Sequence, residues 1–86
     1  MSETIALRVR VHEAWDDVHL ALPAHATVAD VKHRVLEIVG EQDAPDEFVI
    51  KFRGIELRDE MQTLADAGLP EDAALIVLRR RRRAVR

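Results

Sequence analysis

The side chains able to carry chemistry are few: four histidines (His12, His19, His25 and His33), Ser2, acidic pairs at Asp16-Asp17 and Asp46-Glu47, Lys32 and Lys51, and the run Arg79 to Arg83. A serine nucleophile needs a base and an orienting acid within hydrogen-bond reach, and Ser2, the sole serine, stands at the very start of the chain. A phosphate cradle needs clustered glycines, whereas Gly40, Gly54 and Gly68 are widely spaced. The acidic pairs fall in stretches that read as loops, with no apolar pocket to raise a carboxyl pKa. His12 and His19 occupy outward positions of two neighbouring strands and could approach diagonally. Two imidazoles do not fill a tetrahedral site, however, and there is no cysteine to complete one. The expectation is therefore no catalytic residue, no metal and no cofactor.

The arginine run is the strongest charge feature. Of 13 Lys and Arg residues, six (Arg79 to Arg83 and Arg86) fall in the last eight positions. Residues 1–78 thus hold seven basic against 16 acidic groups, a balance of −9, and the tail holds +6, giving the net −3. Such a tail reads as a separate element. Arg79, Arg80, Arg81, Arg82 and Arg83 could make salt-dependent contacts to nucleic acid or an anionic membrane. The tail lacks interleaved aromatics and the acidic body would repel a polyanion, so this is the lesser expectation. The alternatives are a solvated tail or one that continues the last strand.

The elements that must position these groups follow from hydrophobic period. Ile5, Leu7, Val9 and Val11 alternate with Ala6, Arg8, Arg10 and His12 as a half-buried strand over 4–12. A loop containing Trp15 follows, and Val18, Leu20 and Leu22 resume an inward set until Pro23 ends the ladder. Thr27 with Asp30 three residues on forms a capping arrangement for a helix over about 27–40. Its apolar stripe is Val28, Val31, Val35, Ile38 and Val39, and Gly40 is its stop. Phe48, Ile50 and Phe52 alternate with Val49, Lys51 and Arg53 in a third strand ended by Gly54, and 55–57 returns as a short fourth. Residues 58–73 are mostly irregular or a short helical turn, anchored by Leu64 and Leu69. In the last strand, 74–78, Leu75 and Val77 point one way and Ile76 and Leu78 the other. At 86 residues one core is all the chain can build, and it is aliphatic, with only Trp15, Phe48 and Phe52 as aromatics.

With these elements in place, the sequence resembles ubiquitin and its relatives from about Ile5 to Arg82. The stretches that carry the resemblance are T-V-A-D-V-K (Thr27 to Lys32), P-D-E-F-V-I-K-F-R-G (Pro45 to Gly54), L-A-D-A-G-L (Leu64 to Leu69) and L-I-V-L-R (Leu75 to Arg79). It implies an α+β β-grasp fold: a mixed sheet of four to five strands packed on one helix, in the order β-β-α-β-(β)-β. A ubiquitin-like domain would span 1–78 and a basic arginine-rich tail 79–86.

The resemblance also marks departures. Conjugated modifiers and sulfur carriers of the family end in Gly-Gly, and the matching positions here hold Arg83 and Ala84. The family's receptor-binding sheet face centres on an isoleucine whose place Lys51 takes, with Ile76, Leu78 and Gly54 as neighbours, Ala14 and Trp15 in the adjoining loop and Val49 at its border. Lys32 matches a largely packed family lysine, which leaves Lys51 as the one expected exposed acceptor besides the N-terminus. The leading expectation is a non-enzymatic protein-interaction module, an adaptor or accessory subunit, binding another protein through Trp15, Val49, Lys51, Gly54, Ile76 and Leu78. A modifier or carrier activated by an adenylating enzyme is the alternative. No stretch reads as a signal or membrane span, and the few lysines among many alanines and arginines suggest a GC-rich, bacterial source. A cytoplasmic monomer is the default.

Overall fold

The computed structural model describes residues 4–12 and 16–80. Strands β1 (Thr4–Val11) and β2 (Asp16–Pro23) form a hairpin, helix α1 (Val28–Ile38) follows, and strands β3 (Phe48–Phe52), β4 (Ile55–Glu56) and β5 (Ala73–Arg79) complete the chain. The sheet order is β2-β1-β5-β3-β4. Strand β5 lies parallel to β1 and antiparallel to β3, so this is the expected mixed sheet on one helix. The second strand starts at Asp16, two residues before the expected Val18, because Asp16 and Asp17 pair with Val11 and Arg10.

Alternation decides which side chains meet the helix. Leu7, Val9, Val11, Val18, Phe48, Ile50, Leu75 and Val77 are buried on the inner face and pack with Val28, Val31, Val35 and Leu36 of α1. Each such buried Val, Leu or Ile stabilises the fold by roughly 1.5–3 kcal/mol. The loop between β4 and β5 closes the core with Leu64 and Leu69.

Helix α1 begins as the Thr27/Asp30 spacing requires: the Asp30 N–H donates to Thr27 Oγ1 at 3.1 Å and the Thr27 N–H to Asp30 Oδ2 at 3.0 Å. At the other end Gly40, at φ +77°, lets its own N–H reach the Glu37 carbonyl and that of Glu41 the Leu36 carbonyl, which is the Schellman arrangement. The expected apolar stripe needs one correction. Ile38 is 53% exposed and Leu36 is 3% exposed. The two stand about 200° apart around the axis, so a helix lying on a sheet buries one of them at most. The buried set, Val28, Val31, Lys32, Val35 and Leu36, turns toward the side where Lys32 finds its partners.

The turn between β3 and β4 is the two-residue Arg53-Gly54, at φ +56° and +80°, closed by the Phe52/Ile55 pair. Positive φ at both central residues matches the right-handed twist of the flanking strands. The Arg53 guanidinium lies 5.0 Å over the Phe52 ring.

Candidate functional site

The face of the sheet turned away from α1 is composed by strand register. Arg10 of β1 is the partner of Asp17 on β2 and of Ile76 on β5; Ile76 pairs with Lys51 of β3, and Lys51 with Glu56 of β4. One transverse row therefore runs Asp17–Arg10–Ile76–Lys51–Glu56 across all five strands. Neighbouring strands lie about 4.8 Å apart, which places Arg10 and Lys51 roughly 10 Å from each other with Ile76 between them. One step up the sheet, Leu78 pairs with Val49. One step down, Ala74 pairs with Arg8.

Three depressions mark this face, two of them lined by Ile76. A groove of about 600 Å³ is lined by His12, Val49, Lys51, Glu56, Leu78 and the first two arginines of the run. A smaller one of about 220 Å³ lies between Arg8, Arg10, Asp17 and Ile76. A third, of about 450 Å³, includes Gly54, Pro70, Ala74 and Ile76. Ile76 itself is 42% exposed at the middle of the sheet. Val49, expected to border the surface, is only 7% exposed although it stands outside the main core cluster; it floors the groove.

Two ion pairs tune this face. Arg10 Nε is 3.0 Å from Asp17 Oδ1, and both side chains are exposed. The hydrogen bond and charge of Arg10, with smaller help from His19 and Arg8, hold the Asp17 carboxyl below the usual carboxylate range. At the other end of the row Glu56 Oε1 is 3.9 Å from Arg58 Nε. The folded Asp17 stays ionised to lower pH than the unfolded one. Its small stabilising contribution is thus complete above about pH 4 and is lost as pH falls through the folded pKa. A carboxyl-detected NMR titration should find Asp17 titrating low, and Arg10→Gln should return it to the ordinary range; equal midpoints in the two proteins would show that the pair does not form in solution.

The arginine run starts inside the fold. Arg79 is the last residue of β5. Its Nη1 donates to Asp43 Oδ2 at 2.7 Å, its Nη2 lies 3.8 Å from Glu41 Oε2, and the guanidinium sits 4.8 Å over the Phe48 ring. The Arg80 N–H donates to the Glu47 carbonyl at 2.7 Å and its Nε to the Asp46 carbonyl at 3.2 Å. The connection from 41 to 47, with the one-turn 3-10 helix at Pro45–Glu47, thus receives the first two arginines. Trp15 and Ala14, together with Arg81, Arg82, Arg83 and Ala84, lie outside the described residues.

The remaining candidates separate. His19 is the register partner of Arg8, four residues along β1 from His12, so roughly 13 Å of strand keeps the two imidazoles apart and the diagonal approach does not occur. Among the described residues no group of three or more His, Asp or Glu is arranged to hold a metal. Lys32 is 2% exposed, packed as expected. Its Nζ donates to the Phe48 carbonyl at 3.0 Å and to Glu60 Oε2 at 2.8 Å. Sequence reasoning missed Arg10 and Glu56 as members of the central row. The alternation turned Arg8 and Arg10 outward, but only the parallel pairing of β1 with β5 brings them beside Ile76.

No family model matches the chain, and no curated protein matches it in sequence. Solved structures match its shape closely. They include Caldiarchaeum subterraneum ubiquitin, at 17% identity and a TM-score of 0.79 over 95% of this chain and 100% of that one. The ubiquitin-like domain of tubulin-binding cofactor B matches at 20% identity and a TM-score of 0.79 over 92% of each chain. The ubiquitin-like domain of an Arabidopsis thaliana protein matches at 20% and 0.76 over 98% of this chain and 86% of that one. The fold is ubiquitin-like.

Proposed function

We propose that this ubiquitin-like domain is a non-enzymatic protein-interaction module, an adaptor or accessory subunit of the cytoplasm, that docks through the outward face of its sheet. The observation that carries the reading is the 42% exposure of Ile76 at the centre of a five-stranded sheet, where it lines two depressions and its register partner Lys51 lines a third. An aliphatic side chain so placed, with Leu78 beside it and Val49 beneath the groove, is the kind of anchor around which protein interfaces form. Lys51 at the centre of the face distinguishes it from the apolar patch of conjugated ubiquitins, and Arg83-Ala84 stand where a modifier carries its glycine pair.

Site-specific photocrosslinking in cells of the source organism tests the reading. A benzophenone side chain at Ile76 or Leu78 should yield a discrete protein adduct, whereas one at Glu37 or Asp66, on the opposite side, should not. Adducts from the helix side alone would refute sheet-face docking. A covalent adduct through the C-terminal carboxylate, seen by mass spectrometry, would instead point to an activated modifier or carrier.

A further inference from the structure

The largest of the three depressions is also the most cationic. Alternation along the strands turns His12, Lys51 and Arg80 outward with Val49 and Leu78 between them, and all five line the groove of about 600 Å³. Arg80 continues the alternation one residue past β5, because its N–H still donates to the Glu47 carbonyl. Arg79 lines the groove as well, but its guanidinium is held on the helix side by Asp43, Glu41 and the Phe48 ring. Glu56 is the one carboxylate among the described lining residues, and its Oε1 lies 3.9 Å from Arg58 Nε. The other carboxylates of this face, Asp17, Glu71 and Asp72, line the two depressions that share Ile76 and stay out of this groove.

Lys51 and Arg80 have donors to spare. Lys51 is half-buried, yet its Nζ has no hydrogen-bond or ion-pair partner among the described residues. Arg80 is fixed at its main-chain N–H and at Nε by the Glu47 and Asp46 carbonyls, which leaves its two Nη groups unused. By register Lys51 is the partner of Ile76, four residues before Arg80. At ~3.4 Å per residue and ~4.8 Å between strands their Cα atoms stand roughly 14 Å apart, with Leu78 and Val49 between them. A lysine and an arginine side chain leaning over that apolar floor reduce the span to the size of one oxyanion.

We propose that this groove binds a phosphorylated small molecule, its phosphate seated between Lys51 Nζ and the Arg80 Nη groups and its organic body lying on Val49 and Leu78. A phosphate monoester suits the pair better than a carboxylate does. It carries about −1.5 to −2 charge at neutral pH and three acceptor oxygens, so it engages an ammonium and a guanidinium at once. The guanidinium fork takes two of those oxygens in parallel. The groove's volume lies within the ~300–1,000 Å³ of small-molecule sites, and an apolar floor with a few placed polar groups is how such sites are built. A nucleic acid or a membrane would extend across the whole face, where Asp17, Glu71 and Asp72 oppose it. The groove adjoins Ile76 without including it, so the inference does not rest on the docking reading.

Phenyl phosphate, a monoester with an apolar ring, tests the inference on the isotopically labelled full-length protein at ~150 mM salt. Titration should shift the amide resonances of Val49, Lys51, Leu78 and Arg80 to saturation, with an affinity roughly tenfold above that for inorganic phosphate, while phenol alone shifts none of them. Lys51→Gln and Arg80→Gln should each weaken phenyl phosphate roughly tenfold, the effect of removing a charge-assisted hydrogen bond. Arg8→Gln, which removes an equal charge from the other half of the face, should leave the affinity unaltered; circular dichroism of each variant confirms folding. An affinity no greater than that for inorganic phosphate, indifference to Lys51→Gln, or shifts spread over every arginine overturns the site. Vesicles containing phosphatidic acid that bind through the same residues more tightly than phenyl phosphate, at equal phosphate concentration, overturn the small-molecule ligand in favour of a lipid surface. Crosslinking at Ile76 reads protein docking independently of all these outcomes, so the two readings fail separately.

Discussion

Phe48→Ala should lower the free energy of unfolding by about 3–5 kcal/mol, the range for removing a fully buried aromatic side chain. Against the roughly 5–15 kcal/mol that holds an ordinary domain folded, this is a large share of the total. The position combines several supports. Phe48 is among the largest fully buried side chains, its carbonyl accepts the Lys32 ammonium, and its ring is the surface on which Arg79 lies. Truncation thus opens a cavity under α1 and removes the platform that seats the end of β5. Urea unfolding should show a fall in midpoint with little change of slope, and Phe48→Leu should cost well under half as much because most of the volume is kept. Arg79→Ala, which removes half-exposed ion pairs and a cation–π contact, should cost roughly 1 kcal/mol. A Phe48→Ala protein within about 1 kcal/mol of the parent would mean that the core collapses around the site far more readily than its packing implies.

The fold was legible wherever a local rule sufficed. Alternation at Leu7, Val9 and Val11 and again at Leu75 and Val77 identified strands and their inward faces, because a side-chain period of two has one interpretation when one face is buried. Thr27 and Asp30 marked the helix start through a hydrogen-bonding pattern that spans only three residues. Gly40 and Gly54 marked stops because both occupy positive φ. The limits appeared where the deciding contact was distant in sequence. Ile38 and Leu36 have equal apolar claims on the helix stripe, and the choice between them follows Lys32, whose partners Phe48 and Glu60 lie far along the chain.

The candidate site divides in the same way. Ile76 and Leu78 were placed on the outward face by alternation, and Lys51 by its spacing in the third strand; in the sheet Lys51 is the register partner of Ile76 and lines a groove with Leu78. Val49 also lies outward, yet its neighbours bury it, which no period can foretell. Arg10 entered the row only through the parallel β1–β5 register, a pairing between residues some 66 positions apart in sequence. Arg79 read as the first residue of a basic tail. Its ion pairs to Asp43 and Glu41 instead make it part of the packing that surrounds Phe48.

Lys32 is the position where charge and packing oppose each other most directly, and its substitutions should separate the two. The side chain is 3% exposed and its ammonium is held by the Phe48 carbonyl and the Glu60 carboxylate. Breaking a fully buried pair by deleting one partner costs about 3–5 kcal/mol, chiefly because the other charge is stranded. Glu60, with its side chain 25% exposed, can recover water, so Lys32→Ala should fall near the lower end, about 3 kcal/mol, with lost packing of the lysine stem included. Lys32→Met keeps that stem and leaves mainly the Phe48 carbonyl unpaired, for a cost of about 1–2 kcal/mol. Adding Glu60→Leu to Lys32→Met should cost nothing further, since Glu60 has already lost its partner, but should not restore the parent's stability, because the Phe48 carbonyl stays unpaired. Chemical unfolding of the three variants and the parent checks this order. If the double variant is less stable than Lys32→Met alone, Glu60 contributes through something other than its pairing with Lys32; if Lys32→Ala is within 0.5 kcal/mol of the parent, by the ~0.5 kcal/mol scatter of unremarkable surface changes, the buried ammonium is not a support of the fold.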